Sequence, residues 1–284
     1  MKKYILLLLS AAFFVSFYFA DTVKQIATKK IWETSGLATP ESVCFDSIRN
    51  QFYVSNINGK PSAKDGNGFI SKLDSLGNII TLKWLDNLNA PKGLAICGNK
   101  LFVADITELL EIDISKGKIL KKHKIKKAKF LNDVTCDNEQ NVYISDTAAN
   151  CIFRLHEGNV SCWLKDKKIK KPNGLLFLNN KLFIGNFGNG AFLYYDFQNK
   201  KIISVASNKT GIDGIADCGD GEFLVSDWNG KIEKITKKGD LLPLLNLTKQ
   251  GENAADIFYL KNKKLLLIPT FFGNKIIAYK IKEN

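Results

Sequence analysis

The chain has 284 residues, 45% of them hydrophobic, which is enough apolar material for one large core and excludes a disordered chain. Its formal net charge is +13, yet Arg49 and Arg154 are the only arginines. Arginine supplies the bidentate phosphate and base contacts of nucleic-acid readers, so the lysine excess reads as a soluble basic surface and nucleic acid is excluded as a partner.

The N-terminus carries Lys2 and Lys3, then an uncharged run from Tyr4 to Ala20. A positive segment followed by an apolar one is the layout of an export signal. Residues 1–20 are therefore expected to be a signal peptide. If bulky Tyr18 prevents cleavage after Ala20, they form an N-terminal membrane anchor at the lower limit of spanning length. The protein is expected in the periplasm or secreted, touching a membrane only through residues 4–20, with residues 21–284 as a single domain.

Six related phrases follow, beginning at Pro40-Glu41, Pro91-Lys92, Leu131-Asn132, Pro172-Asn173, Ile212-Asp213 and Ala254-Ala255. Their second residues are spaced by 51, 40, 41, 40 and 42 positions. A strand-only period of about 40 residues marks a β-propeller. In the third unit the four strands are Val134–Cys136, Asn141–Ser145, Cys151–Leu155 and Val160–Leu164, with polar turns between them. The sixth unit stops after Lys275–Ile281 and lacks a fourth strand, whereas Lys30–Glu33 precedes the first phrase without a blade of its own. The expected fold is all-β: a six-bladed propeller of four-stranded blades, closed by an N-terminal strand completing the last blade. The first unit is longer by about ten residues between Ile57 and Asn67, a loop expected to overhang the channel mouth through Asp65 to Gly68.

Cys44, Cys97, Cys136 and Cys218 fall in or just after first strands, where a thiol behaves as a small hydrophobe. Cys151 and Cys162 flank a hairpin turning at Glu157-Gly158, which pairs Phe153 with Cys162 and leaves Cys151 off register. All six are expected as free thiols, and no Cys-x-x-Cys spacing suggests structural zinc.

The second residue of each phrase enters the innermost strand and should face the axis. Glu41, Asn132, Asn173 and Asp213, with Asp133 beside one of them, form an all-oxygen set suited to a hard cation such as calcium, magnesium or manganese. Asn56, Asp105, Asp146, Asn186 and Asp227 end the second strands whatever the axial residue is. They are expected to accept backbone N–H bonds from the following turn. His123, in a lysine-rich outer strand, and His156, at a hairpin turn, read as surface residues. Phe187, Trp228, Phe271 and Phe272 follow second strands and are candidates for an apolar rim.

From residues 31 to 282 the chain resembles the gluconolactonase/regucalcin family of six-bladed propellers, and more distantly the paraoxonases and NHL-type repeats. The resemblance implies a metal site at Glu41, Asn173 and Asp213, with Asp213 also the catalytic base. It implies that Asn132 and Asp133 line the substrate pocket. The expected cofactor is one divalent ion, calcium first, with manganese, magnesium or zinc as alternatives. The expected reaction is hydrolysis of a lactone or related ester by a monomer. Lys92, at the second axial position, departs from the pattern. It is open to three readings: a grip on an anionic substrate group, a charge that repels a cation, or a cation substitute bridging Glu41 and Asp213. A non-catalytic propeller binding a ligand or protein at the same face is the alternative function.

Overall fold

The computed structural model describes residues 26–208 and 210–282, so the apolar run at 4–20 lies outside the described residues. Strand β1 (Ala27–Ser35) comes first, and the repeats follow. The first blade holds β2 (Pro40–Asp46), β3 (Gln51–Asn56), β4 (Gly68–Asp74) and β5 (Ile79–Leu88). The second holds β6 (Pro91–Cys97), β7 (Lys100–Asp105), β8 (Glu108–Asp113) and β9 (Lys118–Lys124). The third holds β10 (Leu131–Cys136), β11 (Val142–Asp146), β12 (Cys151–His156) and β13 (Asn159–Leu164). The fourth holds β14 (Pro172–Leu178), β15 (Lys181–Asn186), β16 (Ala191–Asp196) and β17 (Lys201–Ser207). The fifth holds β18 (Ile215–Gly219), β19 (Glu222–Asp227), β20 (Lys231–Ile235) and β21 (Leu241–Asn246). The last has β22 (Phe258–Leu260), β23 (Leu265–Pro269) and β24 (Lys275–Lys282), and β1 joins it as the outermost strand.

That closure is an antiparallel pairing from Ala27 opposite Lys282 to Ser35 opposite Lys275. It ties the two ends of the described chain and removes the open strand edge that an unclosed ring would leave. The core lies between blades, where alternate residues of facing strands interdigitate. Val43, Phe52, Val54 and Leu73 of the first blade, for example, pack on Leu265, Leu267 and Ile276 of the last.

The entry to each inner strand is irregular for a reason that matters to the site. Pro40 pairs with Asn56 and Val43 with Val54, so two residues, Glu41 and Ser42, face one, Ser55. The same shift occurs at Lys92-Gly93, Asn132-Asp133 and Asn173-Gly174. A bulge kinks the strand and re-aims its side chains, here turning the second residue of these four phrases toward the axis.

Two expectations are corrected. Cys151 and Cys162 form a disulfide, with Cα atoms 6.3 Å apart, while Cys44, Cys97, Cys136 and Cys218 are free. The turn and the Phe153–Cys162 pairing are as expected, but Ile152 then pairs with Leu164, so Trp163 is an extra residue. This bulge reorients the strand end beside Cys151. His123 is buried, with Nε2 2.9 Å from Glu111 Oε2, because its face of β9 packs inward although its lysine neighbours are exposed. His156 is exposed as expected and bonds Asn141 through Nδ1.

Candidate active site on the propeller axis

All six second residues of the phrases reach one cavity of about 420 Å³ at one end of the axis. Glu41, Lys92, Asn132, Asn173 and Asp213, with Thr147, provide its polar floor. Ala255 fills the sixth axial place. Ile57, Pro61, Phe130, Phe187, Trp228, Phe271 and Phe272 form the wall, so the candidate apolar rim lines the cavity. The long loop of the first blade contributes through Ile57 and Pro61 rather than Asp65 to Gly68. Lys64 Nζ bonds Thr107 Oγ1 at 3.1 Å, tying that loop to the second blade.

Two atoms on the floor stand out. Glu41 Oε2 and Asp213 Oδ1 are buried, and neither has a hydrogen-bond partner. A buried carboxylate oxygen left without a partner is costly, and natural structures keep few of them. Burial and the nearby Asp213 and Asp256 charges push the Glu41 carboxyl well above its usual range. Burial, then the charges of Asp256 and Asp227, raise Asp213 to about 8, against a hydrogen bond from the Asn173 side chain.

Lys92 is the cation of the cavity and is only 1% exposed. Its Nζ donates to the Ala90 carbonyl at 3.0 Å and lies 4.5 Å from the centre of the Phe130 ring. No ion pair within 4.0 Å joins it to Glu41 or Asp213 among the described residues, so it does not bridge the two acids. Burial lowers its pKa to about 8, opposed by the charges of Glu41 and Asp105.

Asp133 departs from the expectation that it shares the pocket of Asn132. Its Oδ1 accepts the Val134 N–H and its Oδ2 the Leu175 N–H, both at 2.6 Å. It lines a separate cavity with Asp256, among inner-strand residues such as Cys44 and Cys136. Consecutive strand residues face opposite ways, so the second position of a phrase reaches the mouth and the third turns from it. Asp256 occupies the third position of the sixth phrase, takes a 2.5 Å bond from Ser42 Oγ, and is raised by burial to about 7. Where the third residue is glycine, the next blade explains it. A side chain at Gly93 would meet Asp133 at 2.5 Å, and one at Gly214 would meet Asp256 Oδ1 at 2.7 Å. These glycines give room to the inner strand of the next blade, its backbone as well as the acids it carries, rather than making turns.

The strand-ending residues hold the loops, though mostly on the other side from that expected. Asn56 Oδ1 accepts the Ala38 N–H, and Asp105 accepts those of Asn89 and Ala90, in the segments entering their own blades. Asp146 does both, taking Lys129 and Phe130 before the blade and Ala148 and Ala149 in the following turn. Asn186 Oδ1 accepts the Lys170 N–H. Asp227 accepts only the Asn229 N–H, leaves Oδ2 unpartnered, and adds its charge to those acting on Asp213.

Sequence reasoning missed the serine before three of these residues. Ser145 Oγ accepts the Asp133 N–H at 2.9 Å and donates to the Asn173 carbonyl at 2.7 Å. Ser226 Oγ likewise accepts from Gly214 and donates to Ala255, and Ser55 Oγ accepts from Ser42. Each fills the bulge, and Ser145 and Ser226 also lock the residue after one axial position to the axial residue of the next blade. The recurring Ser-Asn and Ser-Asp pairs at 55–56, 145–146 and 226–227 carried that signal.

Cavity, bulges and strand-end anchors define a six-bladed propeller with an oxygen-rich pocket on its axis. Its fold is shared with a protein provisionally named gluconolactonase, at a TM-score of 0.68 and 15% identity, covering 90% of this chain and 92% of that one. It is also shared with a catalytically inactive variant of virginiamycin B lyase from Staphylococcus aureus, solved with quinupristin. There the TM-score is 0.64 with 14% identity over 91% of this chain and 100% of the other. A chain in a nidogen/laminin complex matches 72% of this one, over 79% of its own length, at a TM-score of 0.60 and 15% identity. The chain thus has the fold of gluconolactonase-like propellers. No family model and no curated protein matches its sequence.

Proposed function

We propose that the protein is a hydrolase of lactones or related esters, assisted by one divalent cation and working in the mouth cavity. The observation that carries this reading is the pair of buried, unpartnered oxygens, Glu41 Oε2 and Asp213 Oδ1, beside the amides of Asn132 and Asn173. A hard cation satisfies such oxygens, and the donor set fits calcium best, with manganese, magnesium or zinc as alternatives. No group of three or more histidine, cysteine, aspartate or glutamate side chains is placed to hold a metal among the described residues. The cation would therefore draw on asparagine oxygen as well, with Glu41, Asn173 and Asp213 as its ligands. When bound it would polarise the carbonyl of the substrate.

Asp213 is the candidate base. Its unpartnered Oδ1 lines the cavity, and a bound cation would favour the ionised carboxylate against the burial that raises it, leaving it able to take a proton from attacking water. Asn132, held by a 3.3 Å bond to Thr147 Oγ1, would orient the substrate, and Lys92 would offer positive charge to its oxygen as that becomes negative. The leader pattern at residues 2–20 supports export to the periplasm or beyond, as does the Cys151–Cys162 bridge, which suits an oxidising compartment. No helix among the described residues is long and apolar enough to cross a membrane.

The second reading is a propeller that binds without turnover at the same face. Lys92 favours it, because a buried ammonium on the floor opposes a divalent ion. Metal analysis separates the two. The purified protein should hold one equivalent of metal and the Glu41→Gln variant none, with lactone hydrolysis lost to chelator and restored by calcium. Absence of metal in both proteins, with no turnover, would leave the binding reading.

A further inference from the structure

We infer that the substrate carries an apolar body, an alkyl or aryl group on the lactone or ester, rather than a polyhydroxylated ring. For the reacting end this rests on the hydrolase reading above. For the rest of the molecule it rests on the cavity wall alone.

Trp228, Phe271 and Phe272 form one rigid face of that wall. Trp228 meets each phenylalanine at a centroid distance of 5.7 Å, and the two phenylalanines meet at 4.9 Å, all edge to face. The packing holds Phe271 at a φ of 51°, a conformation seldom adopted by a bulky side chain. Phe187, on the neighbouring blade, is 38% exposed, and Phe272 is 65% exposed. Exposed aromatics gathered on a concave rim mark a surface that gains by being covered with apolar material.

Part of the cavity's hydrogen-bonding capacity is already spent within the protein. Lys92 bonds Ala90, Asn132 bonds Thr147, and the Thr147 hydroxyl donates to the Pro172 carbonyl. The capacity that remains, on Lys92, Asn132, Asn173 and the pair of acid oxygens, sits on the floor where the reacting ester end is placed, and the wall above it is aliphatic and aromatic. A sugar-like ring would lose water from each hydroxyl against Phe and Trp faces, at a cost of about tenfold or more in affinity per group. An alkyl chain instead gains about fourfold per buried methylene.

The test is a series of γ-lactones whose alkyl chain grows from none to eight carbons, set against gluconolactone. With calcium-loaded protein, kcat/KM should rise about fourfold per methylene until the cavity fills, and gluconolactone should rank below the unsubstituted ring. Phe187→Ala and Phe272→Ala should flatten the rise by several-fold. A flat series, or a preference for gluconolactone, overturns the inference. A second measurement is independent of hydrolysis. Chelator-treated protein is titrated with 2-alkylcyclopentanones of the same chain lengths, and with glucose, following the tryptophan fluorescence that Trp228→Phe removes. Chain-dependent ketone binding without any lactone turnover would uphold the apolar pocket and sink the hydrolase reading. Turnover without chain dependence in either assay would do the reverse.

Discussion

Glu41 and Asp146 are buried acids at two positions of the repeat, one opening the inner strand of the first blade and the other closing the second strand of the third. Asp146 spends both oxygens on four backbone N–H groups. Glu41 leaves Oε2 with none, and Asp213, at the equivalent place four blades on, leaves Oδ1 with none. The contrast separates acids that the fold uses from acids that the fold tolerates. A satisfied acid accounts for itself as a structural part. An unsatisfied one at a shared cavity requires something outside the chain, a proton or a cation, to complete it.

Replacing an axial acid should break function while sparing the fold, and the largest effect is expected at Asp213. Asp213→Ala removes the base and one cation ligand together. Hydrolysis should fall by about a thousandfold or more, the scale of several kcal/mol of lost transition-state stabilisation, and calorimetric titration should show no calcium binding. Its melting temperature should stay at or above that of cation-free wild type. A variant that melts much earlier would place Asp213 with the structural acids and erase the contrast.

Asp146→Ala should do the opposite. Four N–H groups lose their acceptor, two of them in the segment leading into Asn132. At about 1–3 kcal/mol for each group that water cannot reach, a net loss of about 3–5 kcal/mol is expected. For a domain of this size that lowers the melting temperature by roughly 10 °C. The kcat of the folded fraction, with calcium present, should remain within about threefold of wild type. Normal stability would show that the strand-end anchors are dispensable.

The fold was legible because its signals are local and repeated: a period near 40 residues, turn residues at fixed offsets, and an orphan strand before the first unit that matches the strand missing from the last. The axial set was legible for the same reason, since one repeat position carries all six side chains to one cavity. What escaped depended on departures from regular pairing. Asp133 follows Asn132 in sequence but leaves the mouth, because its carboxylate is held by the Val134 and Leu175 N–H groups, the second of them in the next blade. The disulfide needed the extra residue at Trp163. The role of Gly93 and Gly214 depended on acids 40 and 42 residues later, which only blade packing brings near. His123 was hidden by the lysines beside it, since a strand's exposed face says little about the other.

The smallest expected effect sharpens the contrast most, because it predicts a gain. Glu41, Asp133 and Asp213 have carboxyls raised by burial and by neighbouring acids, Asp213 to about 8, and burial raises Asp256 to about 7. Their unfolded values lie near 4. Between about pH 4 and 8 the folded, cation-free protein therefore binds more protons than the unfolded chain, and stability falls as pH rises through that window. Lys92 acts in the other sense, since its folded value of about 8 is below the unfolded one, but only above pH 8. Acids held low by surface hydrogen bonds, such as Asp74 and Asp196, titrate below the window. Glu41→Gln removes one charge that must be either protonated or left unpartnered. In chelator it should raise the melting temperature by about 2–4 °C at pH 8, roughly 1 kcal/mol, and by less at pH 5, since burial and the neighbouring acids hold the Glu41 carboxyl well above its usual range. Calcium should stabilise wild type at pH 8 more than at pH 5, by competing with those protons, and should do nothing for the variant. A variant less stable than wild type at both pH values would mean that Glu41 is held by the fold as Asp146 is.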